Sequence, residues 1–189
     1  MTVFKRKQAV SSYSWSYKLL HWLSAILFAL MCFAFVGFYP QMSDADRTIM
    51  LIGHSSMGAC LTAIILIRIG KRFVLKHPRP KHAQSTAKVK MAKTAHYAMY
   101  VFMVLVPLTG YTTANFHHLP VQLFGSILLN SIHDTDLFNT FRAIHVLCIQ
   151  VLIALVVLHI GAAIRHKLVL KDKVLYSMRP WFIDKNSES

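Results

Sequence analysis

Acidic residues are scarce in this chain: of 189 residues only seven are Asp or Glu, against 21 Lys and Arg. None of the seven falls within residues 19–43, 48–67, 94–133 or 143–164, and these four stretches hold no Lys or Arg either. Each can carry a helix of about 20 apolar residues, which at a rise of 1.5 Å per residue crosses a hydrocarbon core of roughly 30 Å. The sequence also lacks internal repeats and low-complexity segments. It contains no Cys-x-x-Cys-His, which excludes covalent haem attachment of the c type. Its three cysteines, Cys32, Cys60 and Cys148, all fall inside the apolar stretches, where cysteine behaves mostly as a small hydrophobe.

What is present fits a small polytopic membrane protein. Hydrophobic residues make up 55% of the chain, and four helices with short loops nearly use up its length, so residues 1–189 are expected to form one all-α, four-helix membrane bundle. The helices are expected at about 17–39, 48–70, 94–114 and 143–166. The run from Leu19 to Gln41 is longer than the apolar core of a signal peptide and contains His21, so it reads as a retained helix. The connection over 71–93 is basic and broken by Pro78 and Pro80, which forbid a continuous helix there. The longest connection, 115–142, contains His117, His118, Pro120 and His133. Its 121–132 stretch is apolar enough to lie on or dip into the interface. Trp181, near the C-terminus, suits the headgroup level.

The net charge of +14 would suggest nucleic acid in a soluble chain, but its distribution points elsewhere. Basic residues crowd before the first span, between the second and third, and after the fourth. The other two connections hold only Arg47 and Arg142, beside Asp44, Asp46, Asp134 and Asp136. The positive-inside rule therefore puts both termini and the 71–93 loop in the cytoplasm, with no nucleic-acid partner.

Four histidines, His21, His54, His145 and His159, stand inside the apolar stretches. Ionisable groups at such depth are costly and usually mark a functional site. His145 and His159 are 14 residues apart, about 21 Å along one helix and within roughly 40° of one face, so one metal cannot bind both. His145 follows Arg142 near the outer surface, and His159 precedes Arg165 near the inner one. His21 follows Lys18 at the inner side, and His54 follows Arg47 in the outer half. The depths pair His21 with His159 and His54 with His145.

Two stacked bis-histidine sites suit b-type haem, which needs a neutral imidazole from each side and an apolar pocket. Gly53, Gly58 and Ala59 around His54, and Gly161, Ala162 and Ala163 after His159, would make room for a macrocycle. Zinc suits the sites less well, since structural zinc wants four ligands and each pair offers two. The alternative for any single histidine is a hydrogen-bonded packing role.

These residues resemble the bacterial cytochrome b561 family, four-helix dihaem membrane cytochromes related to the b-type subunits of nickel hydrogenases. The resemblance runs through His21-Trp22, His54 to Gly58, His96, Pro107-Leu108-Thr109-Gly110, His145 and His159. It ends in a tail of Lys171, Asp172, Leu175, Met178 and Pro180. It implies two non-covalent b haems, with His21 and His159 as iron ligands of the inner one and His54 and His145 of the outer one. It also implies residence in the bacterial inner membrane.

Some members of the family are superoxide oxidases that pass electrons from periplasmic superoxide to ubiquinone. Arg47 and Arg142 match basic residues of that subgroup, and positive charge beside a redox centre can steer a small anion to it. The alternative is that they pair with the neighbouring aspartates or hold haem propionates. Arg68, His96 and His166 are inner candidates for propionates or a quinone headgroup, and His96 could hydrogen-bond a quinone carbonyl or carry its proton. A packing role is the alternative for His96. His77 and His82 read as solvated or near anionic lipid, and His117, His118 and His133 as exposed loop histidines.

The expected function is thus an electron carrier between a periplasmic donor, superoxide, and ubiquinone. One alternative is a cytochrome b subunit anchoring a periplasmic redox enzyme to the quinone pool. Another is a haem-free proton or metal transporter, against which the absence of intramembrane Asp and Glu counts.

Overall fold

The computed structural model describes residues 12–36, 42–75, 86–129, 132–171 and 175–179, without the side chains of 34–36 and 88. His77, His82, Pro78, Pro80, Asp172, Pro180 and Trp181 lie outside these residues. Four helices dominate: α1 (Trp15–Val36), α2 (Asp44–Phe73), α3 (Thr86–Asn115) and α4 (Thr135–Leu168). Each is long and apolar enough to cross a membrane. Between α3 and α4 lies a small antiparallel hairpin, β1 (Gln122–Leu123) with β2 (Ile127–Leu128), and a 3₁₀ turn spans Leu175–Met178.

Helix bounds differ from those expected at two places. α3 begins at Thr86 rather than near 94, and α4 at Thr135 rather than near 143. Loss of charge marks where a helix enters lipid, not where it starts: Lys90 and Lys93 are good helix formers that extend α3 into water, and α4 starts at the Asp134 cap. Arg47 and Arg142 stand inside α2 and α4, not in the connections.

The true starts are set by caps. Ser43 accepts a hydrogen bond from the Asp46 N–H at 3.2 Å, and Asp134 accepts from Asp136 and Leu137 at 3.0 and 2.9 Å. These side chains satisfy amides that the first helical turn leaves without partners. Asp44, Asp46 and Asp136 sit at the positive ends of the dipoles, and Lys71, Arg72, Arg165 and Lys167 at the negative ends.

α1 packs along α2 and α3 along α4, with the hairpin laid on α2. Few of the described side chains are buried; Ile65, Met99, Cys148 and Leu152 are among them, while Phe33 is 76% and Leu158 69% exposed. An apolar outer surface of this kind is matched to lipid, where close packing and polar contacts rather than water exclusion hold helices together.

The hairpin is the one β element among the described residues. Gln122 pairs with Leu128 and Leu123 with Ile127, and the Leu129 N–H extends the ladder to the Val121 carbonyl at 2.8 Å. Its turn is left-handed at both Phe124 (φ 52°) and Gly125 (φ 70°), a conformation free for glycine and unfavourable for phenylalanine. Two serines of α2 hold it: Ser55 Oγ donates to the Gln122 carbonyl at 2.6 Å, and the Phe124 N–H donates to Ser56 Oγ at 2.8 Å. Non-helical backbone is tolerated at membrane depth where protein supplies such partners.

Candidate functional site

A single cavity of about 2780 Å³ runs between the helices, and His21, His54, His145 and His159 all line it. The rings of His54 and His145 face each other with centroids 6.5 Å apart, and those of His21 and His159 at 6.4 Å. With metal–imidazole bonds of about 2.0–2.1 Å and about 1.1 Å from nitrogen to ring centre, two imidazoles sharing one metal ion stand roughly 6.3 Å apart. The spacing, the donor type and the largely apolar walls fit a flat group whose central metal takes one imidazole on each side.

The His54–His145 pair, labelled outer after the sequence reading as His21–His159 is labelled inner, is held by α3. His145 Nδ1 lies 3.0 Å from the Val106 carbonyl and 3.1 Å from Thr109 Oγ1. A carbonyl only accepts, so Nδ1 carries the proton and Nε2 keeps its lone pair for a metal. Gly110 lies flat beneath this ring: a Cβ there would sit 2.9 Å from His145 Cε1. Pro107, three residues earlier, removes one helical N–H and crowds the preceding turn, a cost accepted inside α3 next to the carbonyl that His145 uses. On the other side, Ser55 and Ser56 follow His54 directly, so the hairpin they bind roofs this end, with Leu123 and Leu129 lining the cavity.

The inner pair is surrounded by side chains instead. Arg68 from α2 donates to His21 Nδ1 at 3.2 Å and also to Ser24 Oγ, which in turn donates to the His21 carbonyl at 2.9 Å. His96 of α3 brings a third imidazole, its centroid 5.4 Å from that of His159. Its Nδ1 donates to the Ala92 carbonyl at 2.6 Å, leaving Nε2 as an acceptor. His166 and Arg68 both line the same cavity. The chain's own ends close this side: the Tyr13 N–H donates to the Ser177 carbonyl at 3.0 Å, and Trp22 Nε1 to the Met178 carbonyl at 3.0 Å.

Arg47 and Arg142 are absent from the cavity wall and lie at the outer end, close enough to His117 for their charges to act on it. His117 itself corrects the sequence reading. It is only 7% exposed, stacked on His118 at 4.7 Å and edge-on to Phe138 at 4.8 Å. Its Nδ1 accepts from the Leu119 N–H at 2.9 Å, and its carbonyl accepts from His133 Nδ1 at 2.9 Å. Burial first, then His118 and the two arginines, lower its pKa from 6.5 to about 4. His118 and His133 are exposed, as the sequence suggested.

Ser24, Ser55, Ser56 and Thr109 had no functional role in the sequence reading. Their signal is positional: each is a small hydroxyl within one turn of a histidine or of a residue that supports one.

A family model described as prokaryotic cytochrome b561 matches residues 12–181, and the chain belongs to that family. It is therefore a membrane electron-transfer protein of a b-haem-binding family. Among its relatives are the probable superoxide oxidase CybB of Yersinia pestis, 26% identical over 167 residues, 85% of this chain and 92% of the relative. Another is cytochrome b561 homolog 2 of Escherichia coli (strain K12), 25% identical over 169 residues, 84% of this chain and 86% of that one.

Proposed function

We propose that the protein is a dihaem cytochrome that accepts electrons from superoxide at its outer face and delivers them to ubiquinone at its inner face. The observation that carries this reading is the pair of facing imidazole couples stacked in one cavity. Bound there, each haem supplies a one-electron centre, with His54 and His145 as ligands of the outer one and His21 and His159 of the inner one. Each superoxide gives one electron and leaves as dioxygen. Two such electrons and two protons convert one ubiquinone to ubiquinol.

The protein's own groups supply access and proton handling. Arg47 and Arg142 put positive charge at the outer face, where it raises the local concentration of a small anion. The name of the Yersinia pestis relative supports the same donor. At the inner end His166 would serve a quinone carbonyl, and His96 Nε2, left as an acceptor, would take up a proton and pass it to the reduced quinone. The basic loops support a cytoplasmic position for both termini. The test is superoxide-driven quinone reduction by purified protein whose haem content is known. Arg142→Gln should slow it several-fold at low salt, with the difference fading as salt screens the charge. Equal rates at low salt would remove the steering role, and no superoxide-driven reduction by the unaltered protein would remove superoxide as donor.

A further inference from the structure

We infer that the two histidine pairs differ in reduction potential, the inner one being higher, and that Arg68 is the residue that sets this order. The inference rests on the reading above that each pair holds one haem. It adds a direction: with a haem held at each pair, one-electron transfer from the His54–His145 end to the His21–His159 end would run downhill.

The argument follows from what each imidazole meets on its far side. His145 Nδ1 faces a carbonyl, that of Val106, at 3.0 Å. Donating to a carbonyl makes an imidazole a more basic ligand, which favours the oxidised metal. His21 Nδ1 faces the guanidinium of Arg68 at 3.2 Å. The oxidised centre carries one more positive charge than the reduced one, so a cation placed beside its ligand disfavours oxidation.

The guanidinium is fixed in place. Ser24, 4% exposed, accepts from Arg68 and anchors itself on the His21 carbonyl, so the cation is tied to the same turn of α1 that presents the imidazole. A guanidinium can only donate, so His21 Nδ1 accepts in this arrangement. A haem held through Nε2 would need the imidazole proton on Nδ1, and Arg68 would then keep its bond to Ser24 in place of the one to His21. The charge stays at this end, held by Ser24.

Neighbouring charges act in the same sense. The described carboxylates, Asp44, Asp46, Asp134 and Asp136, all stand at the outer ends of α2 and α4, where they offset Arg47 and Arg142. No described carboxylate stands at the inner end. There Arg72, Lys93, Arg165, Lys167 and Arg179 line the cavity mouth with Arg68. A buried cation in a membrane bundle with no carboxylate beside it among the described residues is costly, and such a group is kept where its field is used.

The experiment is an equilibrium redox titration of the detergent-purified full chain, following b-haem absorbance, after haem has been counted per chain. Two waves are expected, and His54→Ala, which removes an outer ligand, should abolish the lower one. Arg68→Met should shift the upper wave down toward the lower, and Arg68→Lys, which keeps the charge, should restore most of the separation. A mere packing role for Arg68 would change haem retention but not the midpoint of the haem that remains. The inference is overturned if the wave that survives in His54→Ala is the lower of the two. It is equally overturned if Arg68→Met keeps its inner haem at an unchanged midpoint. Where Arg68→Met retains no inner haem, the order of the waves in the unaltered protein and the midpoint of Arg68→Lys decide. One haem per chain in the unaltered protein would overturn the two-site reading, and this inference with it.

Discussion

At the outer pair His145 lies against Gly110 and gives its Nδ1 proton to a main-chain carbonyl; at the inner pair His21 meets the guanidinium of Arg68, and His159 a third imidazole, His96. The outer end is roofed by a hairpin pinned to α2, whereas the inner end is closed by the chain's own terminal segments. Main-chain groups and small hydroxyls fix the first site, and a guanidinium and a third imidazole surround the second. The outer geometry is therefore insensitive to most substitutions and vulnerable to steric ones. The inner site can be tuned by charge and has groups that can exchange protons.

The largest effect that separates the two ends comes from the histidines themselves. His54→Ala and His145→Ala are each expected to remove one and the same b-haem component, and His21→Ala and His159→Ala the other. Reduced-minus-oxidised spectra with extracted haem per chain read this directly. One shared component lost from all four variants would dissolve the distinction between the ends.

Next comes the steric sensitivity of the outer pair. Gly110→Ala puts a methyl 2.9 Å from His145 Cε1. Disturbed outer-shell support costs metal sites roughly 10–100-fold in affinity, and that range is expected for haem retention at the outer pair, with the inner pair unaffected. Titration of the apoprotein with haem would show it; equal loss at both ends would mean a general fault in α3–α4 packing.

A smaller effect tests the roof. Removing the hydrogen bonds of Ser55 and Ser56 by paired alanine substitution should weaken hairpin docking by about 1 kcal/mol per bond. Amide exchange in the 121–129 segment should then quicken several-fold, while exchange around His96 stays as it was. Unchanged exchange in the hairpin would show that its apolar contacts alone hold it.

The smallest expected effect is one of pH. His117 has a folded pKa of about 4, against 6.5 when unfolded, so the unfolded chain binds more protons between these values. The stabilisation is present in full above pH 6.5 and is lost as pH falls toward 4. His118, His133, Arg47 and Arg142 stand around it, so the difference between the protein and His117→Gln is the informative quantity. Thermal unfolding followed from pH 7 to pH 4 should fall less steeply in the variant, and parallel curves would deny His117 its part in the outer cap.

Much of this was legible in the sequence because lipid imposes simple rules. Charge-free stretches mark the spans, and the position of each histidine relative to the nearest basic residue gives its depth. That was enough to pair His21 with His159 and His54 with His145 before any coordinates. Helix ends were less legible: α3 runs on into lysine-containing sequence of good helical propensity and α4 starts at the Asp134 cap, so the membrane edge and the helix start do not coincide. The hairpin was visible only as an apolar run, since its turn places Phe124 as well as Gly125 at a left-handed position. Contacts such as Arg68 with His21, 47 residues apart, and Ser55 with Gln122, 67 apart, depend on how helices are set beside one another. No local pattern encodes them. His117 was misread for the same reason, because Phe138 and His118 enclose it only once the α3–α4 connection has folded back.

That connection also carries a schedule for making the protein. Peptide groups of a hairpin arriving in lipid with nothing to bind would be expensive to accommodate. Here the donor and acceptor that receive it, Ser55 and Ser56, belong to α2, and so leave the ribosome well before Gln122 and Phe124. The N-terminal portion of a chain is free to settle while the remainder is still being synthesised. The landing place therefore exists before the segment that lands on it, and the linear order of the gene product doubles as the order of assembly. A circularly permuted chain in which residues 116–134 preceded α2 would contain every contact described above and lose that timing.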